Sequence, residues 1–281
     1  MTARRCMVCG GYYAAAPITG LLRCTRCGFV SADLDLSQQE LEKLYNREYF
    51  LGVEYRDYVA ERALIEKNFR MRLCKLLKFV KEPSSKRLLE IGCAYGFFLA
   101  LAQAYFASVS GVDISREAIA YARERLRLPV SNGDFLECEV SGPVDVACLW
   151  DTIEHIARPD LYVEKLGSIM TSGGILAITT ADIESAVARL RGHRWRQIHP
   201  PTHLHYFSRR SLTRFLERFE YEVVYCGYDG MYRSMDTIAH IVLNVKHKYG
   251  RVYRALKAMG LLEWDLYLNL HDILFMIARK K

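Results

Sequence analysis

The chain has 281 residues, of which 51% are hydrophobic and 25% are charged, so a packed core is expected and disorder is not. No apolar run reaches the roughly 18 residues that a transmembrane helix needs, and the start, MTARRCMVCG, lacks the apolar segment of a signal peptide. The net charge of +7 is compatible with an anionic substrate, a nucleic acid or an acidic membrane surface.

Four of the nine cysteines form two CxxC pairs, Cys6 with Cys9 and Cys24 with Cys27, and a glycine follows each pair. Thiolates at this spacing converge on one metal ion, and four of them suit tetrahedral Zn²⁺. Such a site has no open coordination position, so we predict a structural zinc in a module at 1–36, which is too short to bury a core unaided. The expected location is the cytosol, which disfavours the alternative of two disulfides.

A helical linker or cap is predicted at 37–82. A capping box at 37–40 predicts a helix from about residue 38 to residue 45. The amphipathic pattern of 55–81 then predicts a second, longer helix, which ends before Pro83.

Strand and helix patterns alternate from residue 83 to residue 281, which predicts an α/β domain with a parallel sheet. The predicted strands are 87–92, 107–113, a short one near 130, 144–150, 174–180, 221–228 and 273–279. The predicted helices are 96–106, 116–127, one near 160–170, and one that Ser208 caps and that runs to Phe219.

The first two strands of this domain carry the pattern of a nucleoside site. The first strand ends in Glu90, a turn with Gly92 and Gly96 follows, and the second strand ends in Asp113. Glycines let the backbone approach a ligand, and an acid after the second strand accepts hydrogen bonds from ribose hydroxyls. The sequence therefore predicts a nucleoside-containing ligand at this end of the sheet.

The run EIGCAYG at 90–96 resembles the first motif of the class I S-adenosylmethionine (SAM) methyltransferases, acid-x-Gly-x-Gly-x-Gly, with Ala94 at the central glycine. The run NGDF at 132–135 resembles the adenine-contacting motif of the same family, and Gly173-Gly174 matches its turn before the fifth strand. The resemblance implies a seven-stranded, Rossmann-like fold that binds SAM. A NAD-dependent dehydrogenase is the weaker alternative, because nothing resembles G-x-G-x-x-G.

The resemblance also implies a role for each motif residue. Glu90 would contact the methionine end of SAM, Asp113 the two ribose hydroxyls, and Asp134 the adenine amino group. The other implied cofactor contacts are Gly92, Ala94 and Gly96 along the ligand, Ile114 and Phe135 against the adenine, and Trp150 near the sulfonium.

Candidate catalytic residues follow the fourth predicted strand. The run DTIEH at 151–155 resembles the Asp-x-x-Glu-His pattern of O-methyltransferases similar to those of the ubiquinone pathway. His155 is a candidate general base because histidine titrates near neutral pH, and Asp151 lies close to the sulfonium. His203 is the equal candidate and His205 the third, in a segment that resembles the W…HLxYFS segment of the same family; a capping or packing role is the alternative for each histidine.

The resemblance to class I methyltransferases also implies that the last two strands pair antiparallel. Between them, residues 229–270 are predicted to form a helical and basic insertion. A lid over the substrate, a homodimer contact, a patch for an acidic membrane and an ordinary solvated helix pair all remain open for it.

Proteins that resemble this whole plan are thought to methylate small metabolites, which implies O-methylation of a sugar or related acceptor, nucleotide-linked or lipid-linked. Residues 189–210 hold six arginines and no acid, and they would bind the phosphates of such an acceptor. The alternatives are an rRNA or tRNA methyltransferase that binds RNA through the zinc module, and a SAM-binding protein without turnover. The module is not markedly basic, so nucleic acid is not the expected partner.

Overall fold

A computed structural model describes residues 5–34, 40, 58–246 and 248–281. The predicted capping box and first helix at 37–45, and the start of the predicted helix at 55–81, lie outside the described residues apart from Glu40. None of the helices in the described part of the chain combines the length and the apolar character needed to cross a bilayer.

The strands are numbered in chain order. They are β1 (Tyr13–Ala15), β2 (Leu21–Cys24), β3 (Val30–Ala32), β4 (Arg87–Ile91), β5 (Ser108–Asp113), β6 (Val130–Asn132), β7 (Val144–Trp150), β8 (Met170–Ala181), β9 (His205–Tyr206), β10 (Tyr221–Tyr228), β11 (Met231–Ser234), β12 (Asp265–Leu268) and β13 (Ile273–Lys280). The α-helices are α1 (Arg62–Leu77), α2 (Phe97–Ala102), α3 (Arg116–Leu126), α4 (Pro159–Ile169), α5 (Ala186–Arg191), α6 (Arg209–Arg218), α7 (Met235–Ala239) and α8 (Gly250–Ala258).

The central sheet has the strand order β10-β13-β8-β7-β4-β5-β6, and the predicted seven-stranded α/β fold is confirmed. Strands β4 to β8 run parallel, and β13 pairs antiparallel with both β8 and β10. The chain builds β4, β5 and β6 in one direction and then crosses back to β7. The strand order therefore reverses between β4 and β7, which is where open α/β sheets bind ligands.

Apolar layers cover both faces of this sheet. Its inner strands β7 and β8 are buried on both sides along most of their length, as the near-continuous apolar runs of parallel strands require. On one face, Leu73 and Leu76 of α1 pack into the cluster that contains Phe98 and Leu99 of α2. Helix α1 is thus held beside the carboxyl end of β4.

The cysteine-containing segment shares a sheet with a distant part of the chain. Its four strands have the order β1-β2-β3-β9, and Val30 lies opposite Tyr206. Phe29 is fully buried, with its ring centroid 4.9 Å from that of Phe207. The described part of the module, residues 5–34, therefore packs as part of the main body.

The insertion at 229–270 is only partly helical, which corrects the sequence-based expectation. Strands β11 and β12 pair antiparallel at its two ends, around α7, a π-helix at His240–Lys246, and α8. These strands have four residues each and read MYRS and DLYL, too short for a clear period of two. The antiparallel pairing of β10 with β13 across the insertion is confirmed.

Candidate active site

A cavity of about 250 Å³ opens at the carboxyl ends of β4, β5 and β7. Its lining includes eight of the nine predicted cofactor contacts, namely Glu90, Gly92, Ala94, Asp113, Ile114, Asp134, Phe135 and Trp150. The ninth, Gly96, lies at the N-cap of α2 and does not line it. The switch point of the sheet and the predicted nucleoside motif therefore coincide.

The glycine turn after β4 lets the chain pass close to the loop after β7. At Gly92 φ is +75°, and a Cβ there would lie 2.5 Å from Thr152 Cγ2. At Gly96 φ is +76°, and a Cβ would lie 2.5 Å from Leu128 Cδ1. Ala94 occupies the left-handed region as well, with φ +44°, which a small residue tolerates at some cost.

Asp113 is held in place by the backbone of two loops. One carboxylate oxygen accepts a hydrogen bond from Ala94 N, and the other accepts one from Ser115 N, each at 2.8 Å. Burial raises the pKa of Asp113. A carboxylate accepts about four hydrogen bonds, so both oxygens retain lone pairs that suit the hydroxyl groups of a ribose.

Glu90 presents an unsatisfied acceptor to the same cavity. Its side chain is buried, and Oε2 has no hydrogen-bond partner among the described residues. Burial raises the pKa of Glu90 well above its usual value, and the nearby Asp113 adds to this shift. A buried polar atom without a partner is costly, so a ligand that donates a hydrogen bond here, as the amino group of SAM does, fits the site.

Arg72 is a site residue that the sequence analysis missed. It projects from α1 into the cavity lining, where Nη2 donates to Asp151 Oδ2 at 2.7 Å and Nε lies 3.7 Å from Asp229 Oδ2. Its guanidinium also lies 5.7 Å from the Trp150 ring centroid. Its position on the buried face of a predicted amphipathic helix could have identified it from the sequence.

The predicted catalytic residue Asp151 is part of this ion pair. Thr179 Oγ1 donates to its other oxygen at 3.0 Å, and its backbone has φ +49°. The carboxylate is thus oriented from two sides at the rim of the cavity.

His155 lines the cavity and lies beside His203. Their ring centroids are 4.6 Å apart, and His199 lies 3.8 Å from His203 on the other side. Burial lowers the pKa of His155 to about 4 and also strongly lowers that of His203. Both rings are therefore neutral at pH 7.

The hydrogen bonds of these two rings define their tautomers. Nδ1 of His155 lies 2.8 Å from Thr202 O, and Nδ1 of His203 lies 2.9 Å from Gln197 O. A carbonyl oxygen only accepts hydrogen bonds, so each Nδ1 carries the proton. The Nε2 atom of each ring then has a lone pair and is the basic nitrogen.

Glu154 completes this cluster. One of its oxygens and one ring nitrogen of each of His155 and His203 lie within 4.8 Å of one another. Burial raises the pKa of Glu154 to about 8, with a contribution from Asp151. A carboxylate and two imidazoles could also hold a divalent metal ion.

His205 lies apart from the cavity lining. Its Nδ1 is 3.1 Å from Ser31 Oγ, and its Nε2 is 3.3 Å from Ala157 O. The ring also stacks on Phe29 at 5.8 Å. The structure therefore places His205 at the junction between the N-terminal module and the main body.

The four predicted zinc ligands lie together. The Sγ atoms of Cys6 and Cys27 are 3.5 Å apart, as are those of Cys9 and Cys24, and all four atoms lie within 4.8 Å of one another. These distances exceed the 2.05 Å of a disulfide bond. Four thiolates in one cluster fit the tetrahedral ligand set of Zn²⁺.

Comparisons with known proteins agree with this geometry. The sequence matches a protein family described as a methyltransferase domain over residues 65–225, which is more than half of the chain. A ubiquinone biosynthesis O-methyltransferase of Xanthomonas axonopodis pv. citri is 24% identical over 106 residues, which are 35% of this chain. The alignment spans 44% of that relative, less than half of its length.

Two solved structures show the same fold at low sequence identity. A SAM-dependent methyltransferase of Thermotoga maritima, described as a possible histamine N-methyltransferase, has a TM-score of 0.53 and 17% identity, over 81% of this chain and 95% of its own. Magnesium protoporphyrin IX methyltransferase of Synechocystis PCC 6803, solved with bound SAH, has a TM-score of 0.56 and 11% identity, over 87% of this chain and 100% of its own. These two structures agree with the sheet order, and the family match over more than half of the sequence shows that the chain belongs to the methyltransferase domain family.

Proposed function

We propose that this protein is a SAM-dependent methyltransferase that methylates an oxygen of a small-molecule acceptor. The observation that carries this proposal is one cavity that joins a nucleoside site to a neutral, buried histidine. Asp113 and Glu90 supply acceptors at one end, and His155 lines the same cavity. The family match supports SAM as the cofactor.

Different residues would hold the methionine, ribose and adenine parts of SAM. Glu90 would contact the amino group of the methionine part, Asp113 the ribose hydroxyls, and Asp134 the adenine. Asp134 is fixed by Tyr162 Oη and Leu136 N, which both donate to its Oδ1 at 2.7 Å. When bound, SAM supplies an electrophilic methyl group on a positively charged sulfur, and the Trp150 ring lines the cavity where that charge is expected.

We propose His155 as the general base. Its Nε2 would take the proton of the acceptor hydroxyl as the oxygen becomes nucleophilic, and Thr202 O holds the ring in the required tautomer. His203 would act through His155, since it packs against that ring and does not line the cavity. Asp151 would orient Arg72 and the rim of the cavity.

The acceptor that we propose is an anionic sugar derivative, nucleotide-linked or lipid-linked. A second cavity of about 450 Å³ supports this choice. It lies between the N-terminal module and the segment after β8, and Arg23 and Arg189 line it together with Glu184, Ile183 and Trp195. Two guanidinium groups beside an apolar wall suit a phosphorylated molecule with a hydrophobic portion.

We further propose that the four clustered cysteines hold a structural Zn²⁺, and that the protein works in the cytoplasm, where thiolates stay reduced. The chain would then have three parts: the zinc module at 1–36, a linker at 37–82 and the methyltransferase domain at 83–281.

The test is transfer of labelled methyl from SAM into a host-cell extract that is then fractionated into small molecules, lipids and RNA. We expect label in the small-molecule or lipid-linked sugar fraction. Label in RNA would contradict the acceptor class. No label in any fraction, although calorimetry shows SAM binding, would contradict the assignment of catalysis.

A further inference from the structure

The insertion carries an unusual concentration of exposed apolar side chains. Among the described residues, nine of the fourteen exposed large hydrophobic side chains fall within residues 241–270. They are Ile241, Val242, Tyr249, Val252, Met259, Leu261, Trp264, Tyr267 and Leu270. Contiguous patches of this kind mark interaction sites, whereas single exposed apolar residues do not.

Helix α8 presents part of this patch. Val252 in its first turn is 49% exposed, and the residues that cap its two ends, Tyr249 and Met259, are 58% and 62% exposed. Tyr253 points inward instead, where it is buried with Ala239 and Leu262. The helix is therefore anchored by a small core of its own while these three side chains stay outside.

The charge of the same segment has one sign. Between Asp236 and Glu263 the chain has no acidic residue and five Lys or Arg residues, namely Lys246, Lys248, Arg251, Arg254 and Lys257. Lys257 pairs with Asp236 at 2.8 Å, and Arg251 and Arg254 are exposed on α8. The exposed apolar side chains thus lie on a helix whose surface is otherwise cationic.

We propose that residues 241–243 and 248–264 form a surface that docks on an anionic lipid bilayer, with α8 lying in the plane of the interface. A basic helix with one apolar side is the physical form of an interfacial anchor. Cations on its flanks still attract anionic headgroups, since the Debye length of about 10 Å matches the diameter of a helix.

Charge favours a bilayer over a second copy of the chain. A two-fold dimer would bring this surface against itself, so that Lys248, Arg251 and Arg254 would oppose identical cations, with Glu263 as the single acidic residue of 241–264. An anionic bilayer supplies both an apolar interior and the opposite charge. This inference does not depend on which acceptor the enzyme methylates.

The test uses the full chain and sedimentation with vesicles of phosphatidylcholine, with and without about one third phosphatidylglycerol. We expect binding to the anionic vesicles, and loss of it as NaCl rises from about 50 to about 500 mM. Trp264 is 52% exposed, whereas Trp150 and Trp195 are buried. A blue shift of tryptophan emission on binding therefore reports insertion of Trp264.

Two variants probe the two components of the surface. The double substitutions M259Q/L261Q and R251Q/R254Q should each lower the bound fraction about tenfold. The matched control is L190Q, at a side chain that is 89% exposed on α5, outside the patch, and it should bind as the unaltered protein does. Circular dichroism melting of each variant separates loss of binding from loss of folding.

No sedimentation with anionic vesicles would overturn the proposal. It would also be overturned by a dimer in light scattering that M259Q/L261Q dissociates, because the surface would then belong to a second copy of this chain.

Discussion

At the scale of single residues, the site combines groups that the fold forces into unusual protonation states. Burial keeps His155 neutral and raises the pKa of Glu154 to about 8. Both effects follow from the cost of placing a charge where water is excluded. A neutral base beside a site for a cationic cofactor avoids repulsion between the two.

The pH dependence of the reaction follows from the state of His155. Its neutral form is the base in the proposed mechanism, and this form is lost only as the pH falls through about 4. We therefore expect kcat to be constant between pH 6 and pH 8 as far as His155 is concerned, and to decline only under strongly acidic conditions. An acidic limb centred near 6.5 in the kcat profile would contradict this assignment.

Replacement of the base gives a second prediction at this scale. H155A should lower kcat about 10²- to 10⁴-fold and leave the Kd for SAM nearly unchanged, since the ring faces the acceptor. Calorimetry for Kd and labelled methyl transfer for kcat separate the two effects. A kcat within threefold of the unaltered enzyme would identify another base.

Replacement of Asp113, at the end of β5, should weaken the binding of SAM. D113A removes the acceptors for the ribose hydroxyls, and hydrogen bonds to a charged group contribute about 1.5–3 kcal/mol, so the Kd for SAM should rise about 10- to 100-fold. The matched control is D236A, since Asp236 pairs with Lys257 at 2.8 Å and neither residue lines the cavity. An equal loss of SAM binding in both variants would argue against the assignment of Asp113.

At the scale of elements, the pairing of β3 with β9 links the cysteine cluster to the histidine segment. Ala32 N donates to Leu204 O at 2.8 Å, and Leu204 N donates to Glu154 O at 2.9 Å. A disturbance of the module therefore reaches the backbone of Glu154 through two hydrogen bonds.

Metal removal tests this link. A strong chelator should remove one zinc per chain, disorder the module and lower kcat, while SAM binding, which depends on the ends of β4 and β5, persists. Metal analysis, near-UV circular dichroism and calorimetry follow the three effects. A protein that contains no zinc when purified, with its cysteines oxidised, would contradict the proposed metal site.

Features that depend on neighbouring residues in the sequence were predicted, whereas features that depend on distant residues were not. Asp113 and Gly92 were identifiable because each lies directly at the end of an apolar run. Such a run predicts a strand, and it therefore also predicts which residues lie at the end of that strand. Arg72 was missed because its partner Asp151 lies 79 residues away. The position of His205 also could not be predicted, because its partner Ser31 is 174 residues away, and only the tertiary structure places it at the junction with the N-terminal module.

At the scale of the whole molecule, the module and the α/β sheet share one apolar core. Cys6, Val8 and Phe29 belong to the same buried cluster as Leu89, Phe207 and Leu212. A part of the chain that is shorter than 40 residues gains its burial from this shared core.

Thermal unfolding of the zinc-loaded protein should accordingly show one transition. F29A removes a fully buried ring from the shared core, which costs about 3–5 kcal/mol, and it should lower the single Tm of the whole chain. Differential scanning calorimetry is the measurement. Two separate transitions, of which F29A moves only the smaller, would show that the module folds on its own.

The pairing of β3 with β9 also has a consequence for the order in which the protein is made. Val30 pairs with Tyr206, so β3 leaves the ribosome well before its partner strand has been synthesised. At about 5–20 residues per second, this interval is roughly ten to thirty seconds. During that time the four cysteines are already available for zinc, while β3 is an open edge exposed to unintended strand pairing. Early metal binding would therefore protect the nascent chain as well as stabilise the finished one.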